Sequence, residues 1–160
     1  MGADSLSKIV QDRPAKLIQP GDRPWLSFPG VSVDLKILHV DEDRNIVVVV
    51  SRFATGGNGG KHLHLCEAIA FTVSGEWAYD EGKLPEGAVA IEPFGSIHTP
   101  TSKDGAETFV VFVGTGPDML QALDEDGNVV ATTTIDHFKQ LYDMTPEEAS
   151  QTALLEFYQQ

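Results

Sequence analysis

Three histidines stand in an arrangement that suits a metal ion better than it suits packing. His62 and His64 lie two apart in Gly56-Gly57-Asn58-Gly59-Gly60-Lys61-His62-Leu63-His64, and His98 closes the later stretch Gly87-Ala-Val-Ala-Ile-Glu92-Pro93-Phe94-Gly95-Ser96-Ile97-His98. Side chains two apart on a strand face the same way, so His62 and His64 present adjacent imidazoles. His98 sits past a Pro-x-Gly turn at the head of a following strand, and sheet pairing would carry it to the first two. Neutral imidazoles bind a divalent ion without cancelling its charge, and the site then favours an anionic chelating ligand. Iron, zinc, nickel and copper all accept such donors.

Strands must position these side chains, and the sequence supplies them. Val31 to Val40 alternates apolar with polar, Asp41 to Asn45 is a turn, and Ile46 to Val50 is a β-branched run, which together predict a hairpin. Ala68 to Val73, Ala88 to Glu92 and Thr108 to Val113 read as further strands, with turns expected at Ser74-Gly75-Glu76 and Asp80-Glu81-Gly82. Trp77 and Tyr79 fall on a short strand between those turns, where sheet packing is the expected role. Leu123 to Val130 reads as one more hairpin. Roughly ten short strands at regular spacing predict an all-β antiparallel sandwich or barrel.

Residues 1–30 carry Pro14, Pro20, Pro24 and Pro29 and are expected to form an N-terminal arm pinned by Trp25 and Phe28. Ile135 to Tyr142 suits a short helix. Thr145-Pro146-Glu147-Glu148 is a helix start, with Ala149, Ala153, Leu154 and Phe157 on one face. The expectation is a single domain over 1–160, with its core at about 30–130 and a helical tail over 134–160.

The chain has 160 residues, 41% of them hydrophobic and 22% charged, enough to bury a core without staples. A formal net charge of −13 disfavours nucleic acid and anionic membrane as partners. The single cysteine, Cys66, excludes an intrachain disulfide and fits a reducing compartment. With no apolar leader or spanning run, a cytoplasmic location is expected. His39 and His137 read as hydrogen-bonded structural residues, Cys66 as a small buried one, and the acidic turns 41–43 and 124–126 as solvated loops.

The two histidine segments resemble the cupin motifs G-x5-H-x-H-x3/4-E-x6-G and G-x5-P-x-G-x2-H-x3-N. Gly56, His62, His64 and Gly75 match the first; Gly87, Pro93, Gly95 and His98 match the second, with Ser102 in place of the final asparagine. The slots for the glutamate ligand hold Ala68 and Ile69. Glu67 is adjacent, but on a regular strand it has the wrong parity to face the histidines. This narrower pattern is similar to the acetylacetone-cleaving and 2,4'-dihydroxyacetophenone dioxygenases.

The resemblance implies a double-stranded β-helix (jelly-roll barrel) with a short C-terminal helix. It implies Fe(II) held by His62, His64 and His98, and Glu92 as a carboxylate that orients a ligand imidazole or a bound water. Thr101 and Phe109 would lie at the pocket or its entrance. The implied reaction cleaves a C–C bond of a β-diketone or hydroxyketone with O2, in a homodimer or homotetramer. The alternative is a cupin without oxygenase activity: a zinc or nickel sensor, a small-molecule binding module, or an isomerase.

Overall fold

The computed structural model describes residues 14–155. Twelve strands among them form two antiparallel sheets: β1 (Val33–Asp41), β2 (Ile46–Phe53), β3 (Gly57–Asn58), β4 (His62–His64), β5 (Cys66–Tyr79), β6 (Gly82–Pro85), β7 (Val89–Glu92), β8 (Ile97–His98), β9 (Thr101–Ser102), β10 (Ala106–Gly114), β11 (Asp118–Leu123) and β12 (Val129–Thr134). The larger sheet runs β1-β2-β10-β5-β9-β3, with β6 and β7 also paired to β5; the smaller runs β12-β11-β4-β8. The two curl into the expected jelly-roll barrel.

Strand parity sets the barrel's interior. Along β5, Cys66, Ala68, Ala70 and Thr72 are buried while Glu67, Ile69, Phe71 and Val73 are exposed. The inward residues are small, which leaves this wall hollow where larger side chains would have filled it. Glu67 points outward, as its parity required.

One expectation changes in the larger sheet. Ser74-Gly75-Glu76 is no turn: β5 runs through it to Tyr79, and Gly75 adopts φ 73° beside a register shift at Glu107/Thr108. A Cβ there would lie 2.3 Å from the Gly105 carbonyl oxygen, so glycine allows a bulge that bends one long strand. The same bend lets β5 pair with β10 and β7 early and with β6 and β9 late.

Phe28 anchors the arm as expected, while Leu26 takes the place expected of Trp25. Leu26 forms a bridge with Leu35 through backbone bonds of 2.7 and 2.9 Å, and Leu26 and Phe28 are buried. Trp25 stays half-exposed between the cations of Lys36 and Arg52. Arg23 stacks on the Tyr142 ring at 3.7 Å and donates to the carbonyls of Ile37 and Tyr142.

Helix α1 (Ile135–Asp143) starts at a capping box between Thr134 and His137 and buries Ile135, Phe138 and Leu141. Helix α2 (Pro146–Ser150) starts at the Thr145/Glu148 capping box. It stops after five residues, shorter than the apolar spacing implied. The Thr152 hydroxyl bonds the Glu148 carbonyl at 2.7 Å and Ala153 is exposed, so Ala149 and Leu154 pack on the core from separate turns. Phe157 lies outside the described residues.

Candidate metal centre

The glycine-rich approach and the Pro-x-Gly turn together build the site. Strand β4 pairs with β8 so that His62 stands opposite His98. The ladder continues round the turn: His64 N–H donates to the Ser96 carbonyl at 2.9 Å and Gly95 N–H to the His64 carbonyl at 2.8 Å. Gly95 takes φ 88°, which lets the chain leave β7 in one sheet and enter β8 in the other within four residues. Glu92 at the end of β7 and His98 at the end of β8 are thereby aimed into one space.

Three Nε2 atoms meet there. Those of His62 and His64 are 3.2 Å apart, and those of His64 and His98 are 3.0 Å apart. Metal–nitrogen bonds of about 2.1 Å at right angles space their donors by about 3.0 Å, and a tetrahedron spaces them by about 3.4 Å. Hydrogen bonding alone does not account for the cluster. His62 Nδ1 donates to the Gly60 carbonyl at 2.9 Å, leaving its Nε2 bare, and one proton at most can sit on the His64 Nε2 that faces both neighbours. His64 is 1% exposed, and its Nδ1 has no hydrogen-bond partner among the described residues. The three residues form a group able to hold a divalent ion.

The electrostatics keep these donors neutral. Burial, then the neighbouring imidazoles, push His64 down to about 3. Burial and His62 lower His98 to about 4, against an upward pull from Glu81. Burial lowers His62, offset in part by the Gly60 carbonyl. Neutral imidazole is the form that ligates metal.

Glu92 is buried, and burial pushes its carboxyl up to about 7. Its two oxygens lie 3.7 Å from His64 Nε2 and 3.8 Å from His98 Nε2. It therefore faces the converging nitrogens and makes no bond to Nδ1 of His64. Cys66 is fully buried, and burial and Glu92 push its thiol up to about 12. It behaves as the small core residue the sequence suggested.

A cavity of about 710 Å³ opens from the histidines. The small Ala70 of β5 leaves room on one side, and Val49, Phe53, Val110 and Phe112 supply apolar walls. Ser51 and Thr108 bond to each other across the strands on one wall.

Thr101 and Phe109 do not line this cavity. Thr101 is exposed on β9 opposite Asn58, and its neighbour Pro100 lines the space instead. Phe109 has the opposite parity to the inward Thr108 and Val110 of β10. Ser102, at the motif's final position, is buried and donates to the Glu76 carbonyl at 2.6 Å.

Tyr79 was missed as a site residue. Its ring stacks on His98 at 4.1 Å and 13°, while Trp77, stacked on Phe53, donates to Thr72 Oγ1 at 2.7 Å. The alternation of Trp77 and Tyr79 was visible, but which ring meets a histidine depends on the bulge before them.

Residues 13–118 match the model of the ChrR cupin-like domain. The chain belongs to the ChrR cupin-like family. No curated protein matches it by sequence. Among solved structures this ChrR-like cupin is similar to an RmlC-like cupin protein from Ralstonia eutropha JMP134, with TM-score 0.73, 24% identity, and coverage of 88% of this chain and 96% of that one. It is similar to an acetylacetone dioxygenase from Acinetobacter johnsonii, with TM-score 0.71, 14% identity, and coverage of 83% and 94%. A third likeness is to Rhodobacter sphaeroides SigE in complex with the anti-sigma ChrR, with TM-score 0.51, 16% identity, and coverage of 59% and 50%. At these identities the likeness establishes the cupin fold. Among the described residues no helix is long and apolar enough to cross a membrane.

Proposed function

We propose that this ChrR-like cupin is a non-haem Fe(II) dioxygenase that cleaves a C–C bond of a β-diketone or hydroxyketone. The observation that carries the reading is the convergence of three bare-edged imidazoles, 3.0 and 3.2 Å between nitrogens, at the wall of a largely apolar cavity. His62, His64 and His98 would hold the metal, and zinc or nickel would occupy the same donors in a sample not loaded with iron. Bound there, ferrous iron would supply Lewis acidity toward a chelating enolate and electrons toward oxygen.

The chain's own residues do the rest. The Gly60 carbonyl fixes the tautomer and orientation of His62, and the Tyr79 ring holds His98 from its face. Apolar walls take the substrate's hydrocarbon part and exclude water from the reacting end. The cavity falls within the ~300–1,000 Å³ range of small-molecule sites and is roomier than acetylacetone needs. Bulkier diketones and aryl hydroxyketones fit it better. The products would be a carboxylate and a second carbonyl compound. A single cupin domain in a cytoplasmic homodimer or homotetramer completes the reading.

A second reading has its own support. The matching family model is that of ChrR, and one structural likeness is to the SigE–ChrR complex, so a zinc-binding module without turnover is the competing function. Oxygen uptake by iron-loaded protein over a panel of β-diketones and hydroxyketones separates them. Substrate-dependent uptake supports the dioxygenase; zinc binding with no uptake across the panel rejects it.

A further inference from the structure

Glu92 has no ordinary reason to be buried where it is. A carboxylate removed from water needs a cation or a set of hydrogen-bond donors. Among the described residues its oxygens meet no lysine, arginine, hydroxyl or backbone N–H. Their only polar neighbours within ion-pair distance are the Nε2 atoms of His64 and His98, at 3.7 and 3.8 Å. Those are the atoms that converge with His62 Nε2. A carboxylate acting on the far side of a ligand would meet an Nδ1, yet among the described residues the buried Nδ1 of His64 stands unpartnered. The two oxygens thus lie beside two of the three converging nitrogens.

The sheet register explains how the carboxylate reaches this point. Glu92 of β7 is the direct partner of Ala68 of β5. Paired residues on one face of an antiparallel sheet have Cβ atoms about 5 Å apart. Ala68 is 1% exposed and ends at its Cβ, so its own side chain does not compete for the space that the longer side chain opposite reaches into. A glutamate at either position of this pair would address the same ion.

We propose that Glu92 is the fourth protein ligand of the metal, reaching it from β7 across Ala68. This rests on the three-histidine metal reading and not on oxygenase activity. A carboxylate lowers the charge of the ligated ion from +2 to +1 and adds a hard oxygen donor, which favours iron over softer ions. A chelating substrate with a single negative charge would then make the assembly neutral.

The test uses metal-free full-length protein and Co(II) as probe, followed by visible absorption and equilibrium dialysis. Wild type should bind one Co(II) per chain. Glu92→Gln, nearly isosteric, should weaken binding by more than the ~10–100-fold typical of losing an outer partner, and should shift the Co(II) ligand-field bands. Glu92→Ala should do the same, and Ala68→Glu in the Glu92→Ala background should restore both affinity and spectrum. An unchanged spectrum in Glu92→Gln overturns the proposal while leaving the histidine site standing. Failure of Ala68→Glu to restore a folded Glu92→Ala protein also overturns it. Absence of Co(II) binding by wild type overturns the metal reading and this inference together.

Discussion

Replacing Glu92 with glutamine should stabilise the metal-free protein, and only at higher pH. Burial raises the Glu92 carboxyl from an ordinary 4.5 to about 7. Between those values the unfolded chain is ionised while the folded one keeps its proton. The folded state therefore binds more protons, and stability falls as pH rises through this window. A shift of about 2.5 units at about 1.4 kcal/mol per unit amounts to about 3 kcal/mol lost by pH 8. His64 works in the opposite direction, since its folded value near 3 lies below an ordinary 6.5 and its contribution is lost as pH falls through that range. That term is shared by both proteins and cancels in their difference. Thermal melts of chelator-treated wild type and Glu92→Gln at pH 4, 6 and 8 should diverge with pH, the variant melting roughly 6–12 °C higher at pH 8 than the pH 4 difference predicts. Saturating metal should reverse the order at pH 8, because the ionised carboxylate then faces a cation. A melting difference that is flat across pH in the metal-free proteins would refute the reasoning.

Three further outcomes follow from particular contacts. Tyr79→Ala removes the ring stacked on His98; a loss of about 0.5–1.5 kcal/mol should weaken Co(II) binding about two- to twelvefold by dialysis while leaving one ion per chain. Gly75→Ala places a Cβ against the Gly105 carbonyl at a positive φ; it should cost on the order of 1–3 kcal/mol in urea unfolding. Cys66 is fully buried with its thiol pushed up to about 12; it should resist a thiol-directed chromogenic reagent at pH 8 until denaturant is added.

Much of the architecture was legible because it is local. The β1–β2 hairpin follows from alternation and an acidic turn, and the outward Glu67 beside the inward Ala68 follows from parity alone. The acidic turns serve as turn formers: Asp41 accepts from Arg44 N–H, and Asp124 from Asn128. The three histidines were legible because two are neighbours on one strand and the third follows a turn that dictates its sheet.

What escaped the sequence depends on long-range register. Whether Gly75 makes a turn or a bulge is decided by the Gly105 backbone packed against it, and the bulge sets which way Tyr79 faces. The aim of Glu92 depends on its pairing with Ala68, far away in the chain. Thr101 and Phe109 were placed by resemblance, and the parity of β10 and the exposure of β9 put their side chains elsewhere. The early stop of α2 is a side-chain effect, with the Thr152 hydroxyl taking a helix carbonyl.

The central claim is that His62, His64 and His98 together hold one divalent ion. Metal analysis of chains refolded or dialysed with a limiting divalent ion, on wild type and on His62→Ala, His64→Ala and His98→Ala, tests it most directly. Wild type should hold one ion per chain, and each variant that remains folded by circular dichroism should lose it. An ion that stays bound at full occupancy without His64, the nitrogen common to both short contacts, would contradict it.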